Sequence, residues 1–498
     1  MAPTARVLVV GSVNVDLYQK MSPSSIKLDG KPVDVSPIKG MTLPAKSFVE
    51  NKDVTVQLEA AGLKWATGEE ETLLLTMDGP FEQKTGGKGA NAAAAAGQSF
   101  GCELICNFGE QSDEENKMLL ADLKKYGNVD TGRSGLIAGP TGTAYILLFG
   151  DNDNAILLLG GANQKWPAAP LVQEGDKLHE AIKESCAVML QREVPDYVNV
   201  EVARAARSLG KPVVMDVGGT DAPLDVNLMP FITEIVPNET ELGFISGLDS
   251  TAEGCIKKEL VRAAVTALKG KFAEAGNPGV EVLVTLGSSG AMHFSKQWAA
   301  DGTEDVMGLL PHESRSGVFK LATDDGKPKD TTGAGDCFRG SYVAARYGEG
   351  RSVQEAMKWG SAASSLSVEV LGAMPSMPSR KAIEARAKNE MSTGLGATEA
   401  VEMKVTLKKS KGFYIQAALS FLRGIEAKAA EGEKEAVEAK PPVPALRISG
   451  LGQACAVALA AAVQVEAEAA GTICAIKTDY PSLSGKPVPQ IIVDIKRK

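Results

Sequence analysis

The unbroken apolar run Val7-Leu8-Val9-Val10 reads as a strand buried on both faces, the pattern of a parallel sheet. It leads into Gly11-Ser12-Val13-Asn14-Val15-Asp16, which sets Asn14 and Asp16 at the carboxyl end, where open α/β sheets bind ligands. The small-residue run Ala92 to Ala96, after Gly86-Gly87-Lys88-Gly89-Ala90-Asn91, predicts a tightly packed helix opened by a glycine loop. Between these segments, Asp53-Val54-Thr55-Val56-Gln57-Leu58 and Thr72-Leu73-Leu74-Leu75-Thr76 predict further strands. After a linker at Ser392-Thr393-Gly394-Leu395-Gly396 the pattern changes. It predicts a strand at 402–407, a helix at 413–424, a strand at 446–449, an Ala-rich helix at 453–469, and strands at 472–478 and 489–496.

The densest chemistry lies in Asp330-Thr331-Thr332-Gly333-Ala334-Gly335-Asp336-Cys337-Phe338. Gly333, Ala334 and Gly335 can turn three consecutive backbone N–H groups toward one anion, and a helix beginning near Asp336 adds its positive end. Asp336 would then accept the proton of an attacking hydroxyl while the N–H cluster holds phosphoryl oxygens. Alone, the segment fits an ordinary N-capped helix after a glycine turn equally well. Lys88 and Asn91 add donors and an acceptor suited to several hydroxyls at once. The loop is not a Walker A sequence, since GxxxxGK[ST] is absent.

Composition narrows the class. With 498 residues, 44% of them hydrophobic, the chain can build one large α/β core and a second unit. No run of about eighteen apolar residues occurs, and the first residues enter a strand rather than a basic-then-apolar leader. A cytoplasmic or nuclear protein without a membrane partner is therefore expected. The seven cysteines are scattered, and the three histidines argue against a histidine-based metal or triad mechanism. From Glu399 onward there are 14 basic and 11 acidic residues, net +3, which leaves 39 basic and 51 acidic, net −12, to the rest.

Together the GSxNxD, GGKGAN and DTxGAGD segments resemble the ribokinase-like (phosphofructokinase-B) family over about residues 5–390. The resemblance implies a three-layer α/β/α domain over 1–392 with a small β-sheet lid from about 17–85 and 141–160. It implies transfer of the ATP γ-phosphoryl group to O5 of D-ribose; a kinase for another sugar or a nucleoside, or a metabolite-sensing nucleic-acid-binding protein, are the alternatives. By matched position, Asn14, Asp16, Gly87, Lys88, Asn91 and Glu193 would bind substrate, Asp336 would be the base, and Gly333, Ala334 and Gly335 the anion hole. Asn238, Thr285, Gly287, Ser288, Gly290, Gly335 and Ser361 would approach the nucleotide. Asn238 and Glu241 would organise Mg²⁺ through water and phosphate. A K⁺ site would draw on Asp330, Thr332, Ser367, Val370, Gly372 and Ser376. About seventy residues between Asp16 and Gly86 replace a shorter family segment, so the lid should be enlarged; a homodimer is expected through it.

The β-α-β-α-β-β order over 399–498 resembles the Alba family of nucleic-acid-binding proteins, an α+β fold. That resemblance implies RNA or DNA binding by Lys408, Lys409, Lys411 and Lys486, with Arg447 beside them. The acidic, Ala-rich stretch at 426–444 is expected to be a disordered insertion. A small dimerisation or docking module with solvated lysines is the other reading.

Overall fold

The computed structural model describes residues 6–497 except 21–25, 29–30, 33–41, 51–52, 59–72, 78–81, 149–153, 221, 253–254, 302–303, 305–308, 390, 392–399, 425–440, 480–481 and 484–485. The 426–444 insertion thus lies largely outside the described residues. Among those described, no helix is long and apolar enough to cross a membrane.

The chain packs as two compact units, 1–296 with 315–392 and 297–314 with 393–498. The second takes in 297–314, which the sequence-based division at 392 places with the first. The first unit is built on an eight-stranded sheet, in which Arg6–Val10 lies between Cys102–Ile105 and Ser185–Leu190, all parallel. The sheet continues through Val213–Met215, Glu234–Ile235 and Glu281–Thr285 in parallel and turns antiparallel at Ala291–Phe294. Val7 to Val10 are all essentially inaccessible, as the unbroken apolar run requires of a strand covered on both faces.

One face carries the helices Lys88–Ser99 and Ala334–Val343, which bring the two glycine motifs together. Ala92 to Ala96 are buried, and a Cβ on Gly340 would meet the Ala92 carbonyl and lie 2.9 Å from Ala95 Cβ. Small residues on both partners allow that close approach, and it sets Asn91 beside Asp336 although 245 positions separate them. The second of these helices begins at Ala334, earlier than the expected start near Asp336, because Gly333 adopts φ 75° and serves as its N-cap.

The lid is not small. It is a nine-stranded sheet in which Gly142–Leu148 pairs in parallel with Asn14–Lys20, and Asn14–Lys20 in turn antiparallel with Glu82–Gly86. The long segment after Asp16 supplies Ile26–Leu28, Lys31–Pro32, Thr42–Glu50, Asp53–Leu58 and Leu73–Met77. Each finds backbone partners on its neighbours, which explains how so large an insertion extends one sheet rather than forming a loop.

The second unit holds a four-stranded sheet. Ala400–Val405 pairs in parallel with Ala445–Leu451, which is antiparallel to Gln490–Arg497, itself antiparallel to Gly471–Asp479. The helices Lys411–Arg423 and Ala454–Ala467 cover one face through Tyr414, Leu419, Leu422, Ala458 and Val465. Element order matches the sequence expectation. Boundaries move by one or two residues, since Ser410 caps the first helix through the Phe413 N–H and strand pairing carries the terminal hairpin out to Gly471 and Arg497.

Candidate active site

Three segments converge at the carboxyl end of Arg6–Val10. Gly87, at φ 93°, opens the helix Lys88–Ser99 so close to the strand exit that a Cβ there would sit 2.8 Å from the Asn14 N–H nitrogen. The same turn aims the Lys88 N–H at Glu193 Oε2, 3.0 Å away. That oxygen also accepts from Ser12 Oγ at 2.6 Å and Asn14 Nδ2 at 3.2 Å. Asn163 secures the other side of Asn14, donating to its Oδ1 at 2.8 Å while exchanging two bonds with the Val13 backbone. Asn14, Asn163 and Glu193 line a cavity of about 700 Å³ that continues past Gly160 to Thr220.

Asp16 lies in the lid strand with its carboxylate against Gly86, where only glycine leaves room for it. Burial pushes its pKa well above the usual carboxylate range, and repulsion from Glu193, Asp336 and Asp330 adds to that. Glu193 is raised too, chiefly by burial, against the stabilising Ser12 hydroxyl and Lys88. Two buried carboxylates that repel each other favour a partner that donates hydrogen bonds. Asn91 stands against Asp336: its amide donates to Asp336 Oδ2 at 3.0 Å, and its Oδ1 is buried without a partner.

Asp336 occupies the first turn of the helix Ala334–Val343, beyond the Gly333-Ala334-Gly335 turn. Lys88 Nζ stands 3.6 Å from its Oδ1 and Arg339 Nη1 3.5 Å from the same atom. The nearest partner of the Lys88 ammonium is Asp216 Oδ2 at 3.0 Å. The Lys88 backbone thus engages Glu193 while its side chain lies between Asp216 and Asp336. Asp216 also receives Arg339 Nη1 at 2.9 Å and the Gly218 N–H at 2.9 Å. Burial works to raise its pKa, but the two cations and that N–H outweigh burial and hold it below the ordinary value. Sequence reasoning missed Asp216 and Arg339. A carboxylate just beyond the apolar strand Val213–Met215, followed by Gly218-Gly219, satisfies the strand-end rule that identified Asp16.

Asn238 and Glu241 form a capping box on the helix Glu239–Ser246: Asn238 Oδ1 accepts from the Glu241 N–H at 2.7 Å and Glu241 Oε2 from the Asn238 N–H at 2.8 Å. Arg339 Nη2 binds the same Oε2 at 3.1 Å, and burial raises Glu241 above its ordinary pKa despite that guanidinium. Thr285 ends its strand with its N–H on the Pro237 carbonyl, and Gly287, Ser288 and Gly290 form the turn after it, with φ 49° at Gly287 and 89° at Gly290. Ser361 is buried and its hydroxyl lies 2.9 Å from that of Ser316.

Asp330 staples two loops, accepting from the Thr332 N–H at 2.9 Å and the Gly372 N–H at 2.8 Å. Thr332 Oγ1 is buried beside the Tyr18 hydroxyl. Val370 donates its N–H to the Ser367 carbonyl, and the Ser367 and Ser376 hydroxyls donate to the Ser364 and Ala373 carbonyls. In the second unit, Lys408, Lys409 and Lys411 are exposed, with Lys409 Nζ 5.4 Å from the centroid of the Phe413 ring. The Lys486 side chain lies outside what the structure describes.

Comparison with known proteins agrees with this arrangement. The model of the pfkB family carbohydrate kinases matches residues 74–380. A ribokinase of Arabidopsis thaliana is 34% identical over 302 residues, covering 60% of this chain and 70% of the relative. A ribokinase of Bacillus subtilis (strain 168) is 27% identical over 315 residues, covering 63% of this chain and 90% of the relative. A solved structure of Arabidopsis thaliana ribokinase complexed with ribose and ATP superposes with a TM-score of 0.56 and 29% identity, covering 78% of this chain and all of that one. With a family model spanning more than half its length and both glycine motifs folded into one acidic pocket, the chain belongs to the pfkB family of carbohydrate kinases.

Proposed function

We propose that the protein is a ribokinase, transferring the γ-phosphoryl group of ATP to the O5 hydroxyl of D-ribose. The observation that carries this reading is the pairing of Asp336 with Asn91 at the start of the helix Ala334–Val343: a carboxylate, an unpartnered amide oxygen and an N–H turn lie within one hydroxyl's reach of each other. Likeness to ribokinases, one of them solved with ribose and ATP, supports the choice of acceptor and donor.

Asp16, Asn14, Glu193 and Asn91 hold the sugar hydroxyls, and the lid excludes water that would otherwise hydrolyse ATP. Asp336 accepts the O5 proton as the oxygen attacks in line, and the N–H groups of Gly333 and Gly335 stabilise charge on the phosphoryl oxygens; the expected third donor, the Ala334 N–H, is instead given to the Thr331 carbonyl at 3.2 Å. Mg²⁺ supplies charge neutralisation on the phosphates. Glu241 fits this role through water, since Oε2 is committed to Asn238 and Arg339 while Oε1 faces Gly218 and Lys88. A monovalent cation such as K⁺ would be held beside Asp330, where the Gly372 N–H bond to its carboxylate draws the carbonyl-bearing loop 370–376 close.

The test is ATP-dependent ADP release with D-ribose, other pentoses, fructose and adenosine, each with and without K⁺. Ribose-dependent, K⁺-stimulated turnover is expected; turnover with another acceptor alone would overturn the substrate, and none with any would overturn the reading.

For the C-terminal unit, Alba-like RNA or DNA binding is the reading that its β-α-β-α-β-β order and the exposed Lys408, Lys409 and Lys411 favour. Replacing these three lysines with alanine should weaken salt-dependent binding of RNA or DNA and leave ribose phosphorylation unchanged; equal loss of both would refute separable roles.

A further inference from the structure

Around Asp216 stand two cations, Lys88 and Arg339, and three carboxylates, Asp216, Glu241 and Asp336. Both cations touch one oxygen, Asp216 Oδ2, at 3.0 and 2.9 Å. They are held very differently. The Arg339 side chain is 4% exposed and is fixed from four directions, by Asp216, Glu241, Asp336 and the Val236 carbonyl at 3.1 Å. The Lys88 side chain is 21% exposed and ends a flexible stem with two carboxylate partners.

A nucleoside triphosphate entering the anion turn brings several negative charges within reach of Lys88. An ammonium drawn toward a phosphoryl oxygen loosens its hold on Asp216, and a buried carboxylate stripped of its partner is strongly disfavoured. Arg339 removes that penalty. With its guanidinium 2.9 Å from Oδ2 and the Gly218 N–H 2.9 Å from Oδ1, Asp216 stays paired after Lys88 departs. A Cβ on Gly335 would lie 3.0 Å from Arg339 Nη1, so the guanidinium also sits directly beneath the anion turn.

We propose that Arg339 is a positioning residue for the nucleotide: it keeps Asp216 neutralised so that Lys88 can exchange that carboxylate for the terminal phosphoryl group of ATP. The idea rests on the ATP-dependent kinase reading above.

The experiment compares full-length wild type with Arg339→Gln, Arg339→Lys and the charge-balanced pair Asp216→Asn/Arg339→Gln. MgATP binding is titrated calorimetrically without sugar, and KM is measured for ATP and ribose. Arg339→Gln should weaken MgATP binding and raise the KM for ATP about tenfold, with the KM for ribose within about twofold. Arg339→Lys and the double variant should both return to within about threefold of wild type, a rescue that a merely structural arginine would not show. Unchanged ATP affinity in Arg339→Gln, equal losses for ATP and ribose, or a double variant no better than the single one would overturn the proposal. Should Arg339→Gln not fold, the other two variants decide: a tenfold loss of ATP affinity in the double variant overturns the idea. Wild-type protein that binds MgATP but phosphorylates no ribose would sink the ribokinase reading and leave this one standing.

Discussion

On the ribokinase reading, Glu193 would hold the site together through one carboxylate oxygen and the sugar through the other. Oε2 accepts three hydrogen bonds, from Ser12 Oγ at 2.6 Å, Lys88 N at 3.0 Å and Asn14 Nδ2 at 3.2 Å, and these fix the glycine loop onto the strand exit. Glu193→Gln keeps an acceptor at Oε2 and places an NH₂ group at Oε1. The three bonds survive in weakened form, and removal of a buried charge offsets part of that loss, so stability should change by no more than about 1 kcal/mol. Glu193→Ala instead strands three donors, at about 1 kcal/mol or more each, and should cost about 3–5 kcal/mol. Sugar binding is affected in both. A hydroxyl donating to a charged acceptor contributes about 1.5–3 kcal/mol, and Gln offers a donor where an acceptor was needed. The KM for ribose should therefore rise roughly 10- to 100-fold in Glu193→Gln, at about 1.4 kcal/mol per tenfold, with the KM for ATP little changed. Coupled ADP-release kinetics and thermal melts on both variants check this. A ribose KM within twofold of wild type in Glu193→Gln, or melting as low as that of Glu193→Ala, would refute the division of roles between the two oxygens.

Asp336→Asn should retain ribose and MgATP binding by calorimetry while kcat falls by about two to four powers of ten, as loss of a general base predicts; near-normal turnover would remove Asp336 from that role. Asp16→Asn should abolish ribose binding yet raise the melting temperature, because burial and the neighbouring carboxylates disfavour the Asp16 anion in the fold. The sign of the pH dependence follows from the raised pKa: stability is full below the unfolded value near 4 and is lost as pH rises through the folded one. The gain from Asp16→Asn should therefore be larger at pH 8 than at pH 5, and an equal or reversed difference in melts at the two pH values would contradict it.

The local segments already determined much of this protein. Val7 to Val10 could only be a strand covered on both faces, Gly87 and Gly333 mark turns where a side chain would collide or φ is positive, and Asp336, Asn91 and Glu193 are recognisable in their motifs. What these residues do to one another was not legible. Asn91 meets Asp336 only because small residues let the helices Lys88–Ser99 and Ala334–Val343 approach closely, a packing event that no local pattern encodes. The lid was foreseen as enlarged but small in architecture; nine strands in one sheet result from long-range backbone pairing, which periodicity does not reveal. Asp216 and Arg339 stand 123 positions apart, and in sequence each reads as an unremarked charge at the end of a strand or inside a helix. Chain composition and motif spacing thus set the chemistry available to the site. Tertiary burial decided which charges face each other without water between them, and in that low-dielectric setting their pairing, rather than their presence, governs what the site can do.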